Sequence, residues 1–105
     1  MYLLQNLLTE SSLENINLIK GKVEDNLSNK DNVPEKISIL RLDIDFYDST
    51  KIELEVLFPR LEKNGILIID DYGYKYGARK AVDEYFKERP FFIYVDRDCR
   101  LLIKN

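Results

Sequence analysis

Ile37 to Tyr47 reads I-S-I-L-R-L-D-I-D-F-Y, and this stretch decides the fold. It opens as an apolar run, Ile37, Ile39, Leu40 and Leu42, with the β-branched bias of a buried strand. It closes on two carboxylates, Asp43 and Asp45. Residues two apart on a strand share a face, so both acids project the same way where the strand runs out. A second segment repeats the design: Ile66-Leu67-Ile68-Ile69 stops at Asp70-Asp71. In a parallel sheet all carboxyl ends lie on one edge, where open α/β sheets bind ligands. The economical reading gathers Asp43, Asp45, Asp70 and Asp71 around one point. Carboxylates that close repel one another, and a divalent cation with hard oxygen ligands (magnesium, calcium or manganese) is the usual remedy. The plainer reading is that strand ends are acidic because a loop or a helix N-terminus follows, as Asp48-Ser49-Thr50 suggests.

Composition bounds the rest. A chain of 105 residues makes one small domain. At 45% hydrophobic and 33% charged it reads as globular rather than disordered. A net charge of −3 with scattered Lys and Arg carries no nucleic-acid footprint. There is no histidine, so acid–base work falls to carboxylates, Lys, Tyr or the thiol. The single Cys99 cannot form an internal disulfide, which fits a reducing compartment. Met1–Leu8 has neither a basic leader nor the length to span a bilayer, so a cytoplasmic location without membrane contact is the expectation.

Taken in order, Leu3, Leu4, Leu7 and Leu8 have helical spacing. Ile16–Ile19 reads as a short strand, and Val23–Leu27 as a ligand-side loop or short helix. Residues 28–36 form a polar surface loop around Pro34. Thr50-Lys51-Ile52-Glu53 fits a capping box that opens a helix with Leu54, Leu57, Phe58 and Leu61 on one face. Pro59 should kink or end that helix, and Asn64-Gly65 is the stop signal. Gly73 and Gly77 read as glycines open to positive φ in the following loop. A helix over Ala78–Arg89 faces inward with Ala81, Val82, Tyr85 and Phe86, and Pro90 ends it. Phe91–Val95 and Cys99–Ile103 make a tight antiparallel hairpin about Asp96-Arg97-Asp98. Alternating strands and helices followed by a hairpin describe the back half of a doubly wound α/β sheet. No Gly-rich βα turn is present in these residues.

The motifs R-L-D-I-D-F-Y-D-S-T, L-F-P-R-L-E-K-N-G-I-L-I-I-D-D-Y-G and A-R-K-A-V-D-E-Y together closely resemble the macrocin O-methyltransferase (TylF) family over about residues 16–95. That resemblance implies an S-adenosylmethionine-dependent, metal-assisted O-methyltransferase acting on a sugar or small-molecule hydroxyl. It implies metal ligation of Mg2+ or another divalent cation by Asp43, Asp70 and Asp71, and Asp45 as general base. Gly21-Lys22-Val23-Glu24-Asp25 resembles the family's adenine-side segment, so Val23 and Glu24 are the implied cofactor contacts. The implied fold is a partial Rossmann-like, class I methyltransferase sheet, mostly parallel with a C-terminal antiparallel hairpin. Its first two strands, the Gly-rich turn and the ribose-binding acid are missing, so the chain looks like a truncated methyltransferase, inactive alone. The implied strand order is 3-2-1-4-5-7-6, with Ile37–Leu42 as the fourth strand and, here, a bare edge. Such an edge predicts self-association into a homo-oligomer.

Two alternatives stand beside this reading. Asp43-Ile44-Asp45 and Ile69-Asp70-Asp71 are also similar to the nucleophile and metal motifs of haloacid-dehalogenase-type phosphatases, or of a sugar-nucleotide enzyme with a DxD site. The third possibility is a non-catalytic, self-associating module. Tyr72, Tyr74 and Tyr76 are either an acceptor-pocket lining or a solvated loop, and Arg79, Lys80, Lys87 and Arg89 read as a solvated helix face.

Overall fold

The computed structural model describes residues 16, 18–43, 46–73, 76–88 and 90–105. The elements are a one-turn helix α1 (Val23–Asn26), strand β1 (Ile37–Leu42), helix α2 (Tyr47–Leu57), strand β2 (Leu61–Ile69), helix α3 (Tyr76–Tyr85) and the hairpin β3 (Ile93–Tyr94) and β4 (Arg100–Ile103). The sheet order is β1-β2-β4-β3. β1 and β2 run parallel, while β2–β4 and β4–β3 are antiparallel. This is the fourth-fifth-seventh-sixth order implied by the resemblance. The strand expected over Ile16–Ile19 is not seen: Ile16 and Leu18–Lys20 join no ladder, and Asn17 lies outside the described residues. The order implied above puts two further strands between this segment and β1, and among the described residues none lies beside it. The helix expected at Met1–Leu8 also lies outside the described residues.

The ladder sets two unequal faces. Leu40 sits opposite Leu67, and Leu67 opposite Leu102, so these three line one face. With Leu42 and Ile69 they are buried in one cluster with Leu54 of α2 and Val82 of α3. The other face carries Ile39, Ile66 and Ile103 in the same register. Ile39 is 63% exposed and Ile103 48%. β1 is therefore not buried on both sides as its apolar run predicted: among the described residues, helices pack on one face only.

α2 starts three residues before the expected cap. Phe46 is its N-cap and makes no side-chain capping bond. Thr50 already lies inside the first turn, where its N–H and Oγ1 both donate to the Phe46 carbonyl, at 3.1 and 2.8 Å. The reciprocal Glu53 bond of a capping box is thus impossible, because the N–H it would accept from is spent within the helix. Pro59 behaves as expected, turning the chain into a 3-10 segment, Phe58–Arg60. β2 then begins at Leu61, ahead of the expected Ile66, and Asn64 takes φ 68° inside it. α3 stops at Tyr85, before the expected Arg89.

Gly73 does not adopt positive φ, contrary to expectation; its need is space. A Cβ there would stand 1.8 Å from the Arg97 carbonyl oxygen. The bare backbone lets Gly73 N–H donate to Asp98 O at 3.0 Å, docking the hairpin turn beside the end of β2. Gly77 falls within the first turn of α3.

Candidate active site

The two acidic strand ends meet, and an arginine joins them. Asp70 N–H donates to Leu42 O at 3.1 Å, carrying the parallel β1–β2 ladder past its last paired strand residues. That bond sets Asp70 beside Asp43. Arg41 and Asp43 are two apart, so they project on the same side of β1. The Arg41 guanidinium donates from Nε to Asp70 Oδ2 at 2.6 Å, and its Nη2 lies 3.7 Å from Asp43 Oδ2. The hydrogen bond to Asp70, then the charges of Asp70 and Asp43, hold the guanidinium pKa above its ordinary value. The Arg41 guanidinium thus stands between the carboxylates of Asp43 and Asp70.

Asp71 follows in the turn after β2 and is half-buried. Asp45 lies outside the described residues. Among the described residues no group of three acidic, histidine or cysteine side chains is arranged to hold a metal ion. The donor chemistry nevertheless suits a hard cation: carboxylate oxygens converge from two adjacent strand ends, and a guanidinium already bridges two of them.

α1 closes one flank. Glu24 Oε1 accepts a hydrogen bond from Ser49 Oγ in the first turn of α2, which lowers the Glu24 pKa. Val23 and Glu24, the expected cofactor contacts, are thereby tied to the helix that follows the first acidic pair. Tyr47, at the start of the same helix, donates its hydroxyl to Glu84 Oε2 of α3. That bond raises the phenol pKa. Deeper in α2, Glu53 is only 5% exposed, and its Oε1 finds no hydrogen-bond partner among the described residues. Burial, and then the charge of Glu24, push its pKa up to about 7.

The opposite flank is aromatic and cationic. Tyr72 is buried and donates to Asp83 Oδ1 at 2.8 Å. The guanidinium carbons of Arg79 and Arg100 lie 5.4 and 5.2 Å from its ring centroid. Of the three tyrosines proposed for a pocket, then, Tyr72 is a core residue, Tyr76 is exposed and Tyr74 lies outside the described residues. Arg79 is not simply solvated, since it stacks on Tyr72 and reaches Asp83 at 3.8 Å. Burial, then the charges of Asp70 and Asp96, raise the Cys99 thiol pKa.

Arg41, Ser49 and Arg100 were not singled out from sequence. For Arg41 the signal was present: the spacing that places Asp43 and Asp45 on one face places Arg41 there too.

The model of the family described as macrocin-O-methyltransferase (TylF) matches residues 8–97. The chain belongs to this family. The demethyldecarbamoylnovobiocin O-methyltransferase of Streptomyces niveus is 37% identical over 76 residues, covering 66% of this chain and 29% of that protein. A tetracenomycin rhamnosyl 4'-O-methyltransferase of Streptomyces olivaceus is 46% identical over 50 residues, covering 48% of this chain and 19% of that protein. The solved structure of the O-methyltransferase NovP superposes with a TM-score of 0.83 at 30% identity, over 95% of this chain and 42% of that one. The chain thus spans less than a third of these curated relatives and under half of the solved one. Membership of the TylF family sets the phosphatase resemblance aside. It also fixes the fold as part of a class I methyltransferase sheet. No helix among the described residues is long and apolar enough to cross a membrane.

Proposed function

We propose that this chain forms the acid-lined, acceptor-side part of an S-adenosylmethionine-dependent O-methyltransferase for a sugar or other small-molecule hydroxyl. The observation that carries the reading is the meeting of Asp43 and Asp70 around one shared cation, at neighbouring carboxyl ends of parallel strands, in a chain of the TylF family. Asp43, Asp70 and Asp71 would hold a divalent cation such as Mg2+, with Arg41 turned aside. Such an ion, when bound, makes an acceptor hydroxyl easier to deprotonate. Asp45 is the base of the reading: it takes the hydroxyl proton as the acceptor oxygen bonds to the methyl carbon and the sulfonium carbon–sulfur bond breaks. Val23 and Glu24 contact the adenine side of the methyl donor, with Ser49 fixing the Glu24 carboxylate. The reading places the chain in the cytoplasm, away from nucleic acid and membrane, and includes a homo-oligomer built on the open edge of β1.

The test is thermal. Millimolar magnesium or calcium should raise the melting temperature by mass action, and Asp70→Asn should abolish the rise. A wild-type chain without any shift, or one that hydrolyses p-nitrophenyl phosphate in an Asp43-dependent way, would overturn the reading.

A further inference from the structure

We infer that the seam between α1 and α2 is a proton-operated latch: α1 is seated while the buried Glu53 carboxyl keeps its proton and is released when that proton leaves. The latch rests on the seam itself. Only its consequence for the methyl donor rests on the methyltransferase reading, which makes Val23 and Glu24 one wall of the donor site.

Ser49 and Glu53 stand four residues apart on α2 and so share a face, one turn apart. Ser49 ties α1 to that face through its bond to Glu24. Glu53 therefore lies on the side of α2 that carries α1. It is 5% exposed, and its Oε1 has no hydrogen-bond partner among the described residues. The two hydroxyls one turn back cannot supply one. Each has a single proton: Ser49 gives its own to Glu24, and Thr50 gives its own to the Phe46 carbonyl at 2.8 Å.

The cations of the neighbouring elements are engaged elsewhere. Lys22, at the N-cap of α1, acts on Glu24. Lys51 and, from α3, Lys80 lie over the Tyr47 ring, whose hydroxyl donates to Glu84. Arg79 of α3 reaches Asp83, Arg41 of β1 bridges Asp43 and Asp70, and Arg60 donates to the Pro34 carbonyl. Of the acids, Asp48 and Glu55 act on Tyr47, and Asp25 is exposed. Burial, and then the negative charge of Glu24, are what act on Glu53 and place its pKa at about 7.

An ionised carboxylate buried without a donor is costly, so ionisation drives off the weaker wall of the seam. α2 is the stronger wall, anchored in the interior by Thr50 and Leu54. α1 has four residues, none of them buried, and no side-chain bond at its N-cap. A helix so short does not persist undocked. Its release hydrates Glu53 and separates it from Glu24, and both changes favour the charged form. With the seated pKa at about 7 and the released one near the ordinary 4.5, the open fraction rises as pH rises between those values. The slope is at most about tenfold per pH unit, and the rise levels off above pH 7. The donor wall is thus seated in acid and loosened above neutral pH.

The experiment is nuclear magnetic resonance of the isotope-labelled 105-residue chain between about pH 5 and pH 8.5. Carbon shifts give the helical fraction of Val23–Asn26, and amide relaxation gives its mobility. In the wild type that segment should lose helix and gain mobility as pH rises, in step with the titration of the Glu53 carboxyl carbon, while Leu54 and Val82 stay ordered. Glu53→Gln, which mimics the protonated form, should hold α1 seated at about pH 8.5, with an open fraction at least about tenfold below wild type. The wild-type titration needs no variant, so the test survives a Glu53→Gln chain that fails to fold. An α1 whose order does not change with pH overturns the latch. So does one that loosens equally in Glu53→Gln, or one that loosens only together with Leu54 and Val82. The magnesium-dependent melting shift reads the acidic strand ends instead: its absence would overturn the metal reading and leave a pH-dependent α1 standing.

Discussion

Arg41 Nε lies 2.6 Å from Asp70 Oδ2, across the join between the first two strands of the sheet. The partners sit 29 positions apart in the chain, and the parallel register brings them together. The pair is an internal competitor for the cation that the acidic edge is suited to hold. Arg41→Gln should therefore tighten magnesium binding, seen as a larger melting-temperature rise at a given metal concentration. Without metal the same variant should be less stable than wild type, because two like charges lose their common partner. An unchanged or smaller rise on adding magnesium would show that Arg41 does not compete for the site.

Glu53 gives the protein a pH-dependent weakness. Its folded pKa is about 7, above the ordinary 4.5. Below about pH 4.5 the carboxyl is protonated in both states and contributes no pH dependence. Between about 4.5 and 7 the unfolded chain releases the proton while the folded one keeps it, so stability falls as pH rises. Above pH 7 both states are ionised and the loss levels off, at about 3 kcal/mol. Glu53→Met should remove this loss and melt higher than wild type at pH 8, with a smaller gap at pH 4. Urea denaturation at the two pH values measures it, and parallel profiles for the two proteins would refute the assignment.

Much of the fold was legible because hydrophobic pattern and chain punctuation agree. Pro59 and the Asp96–Asp98 turn end elements where they should, and the β1, β2 and hairpin segments are all strands. Element starts were less legible. Thr50 and Glu53 match a capping box in letters, yet Tyr47–Ser49 already form helix, because the turn after Phe46 closes on Thr50. At the site, the acids were found because like residues repeated at two strand ends. Arg41 was overlooked because a lone basic residue in an apolar strand has no repeat to draw the eye. Arg100 was hidden for another reason: its partners are backbone carbonyls and rings that only the hairpin brings together.

Gly73→Ala should test how tightly the hairpin is docked. The added methyl meets the Arg97 carbonyl at 1.8 Å, which is backbone and cannot swing away. A cost of about 2 kcal/mol, the middle of the range for forced overpacking, is expected. Chemical denaturation reads it out, and a wild-type midpoint would mean that the turn is free to shift.

The 105 residues by themselves should bind S-adenosylmethionine weakly. Val23 and Glu24 offer one wall of an adenine site, and the sequence contains no Gly-rich βα turn for the rest of the ligand. Isothermal titration should show no saturation at about 100 μM, a concentration at which a preformed site would be filled. A low-micromolar dissociation constant would mean that residues 1–22 supply more of the site than their sequence suggests.

The final prediction concerns the open side of the sheet. Among the described residues β1 pairs only with β2, so its other edge presents unsatisfied backbone donors and acceptors. The adjoining face carries Ile39 at 63% exposure, Ile103 at 48% and the half-exposed Ile66, Ile68 and Leu101. Polar backbone and apolar side chains thus lie together uncovered, a combination that favours strand addition. A second copy is the proposed occupant. A two-fold pair would set β1 antiparallel to its equivalent and join two four-stranded sheets into one. Ile39→Lys places a charge at the centre of that contact and leaves the helix-packed face untouched, so the fold should survive while association weakens at least about tenfold. Sedimentation equilibrium across the micromolar range measures both proteins. A wild-type chain that stays monomeric at about 100 μM, or a variant that associates as strongly as wild type, would rule out β1 as the contact.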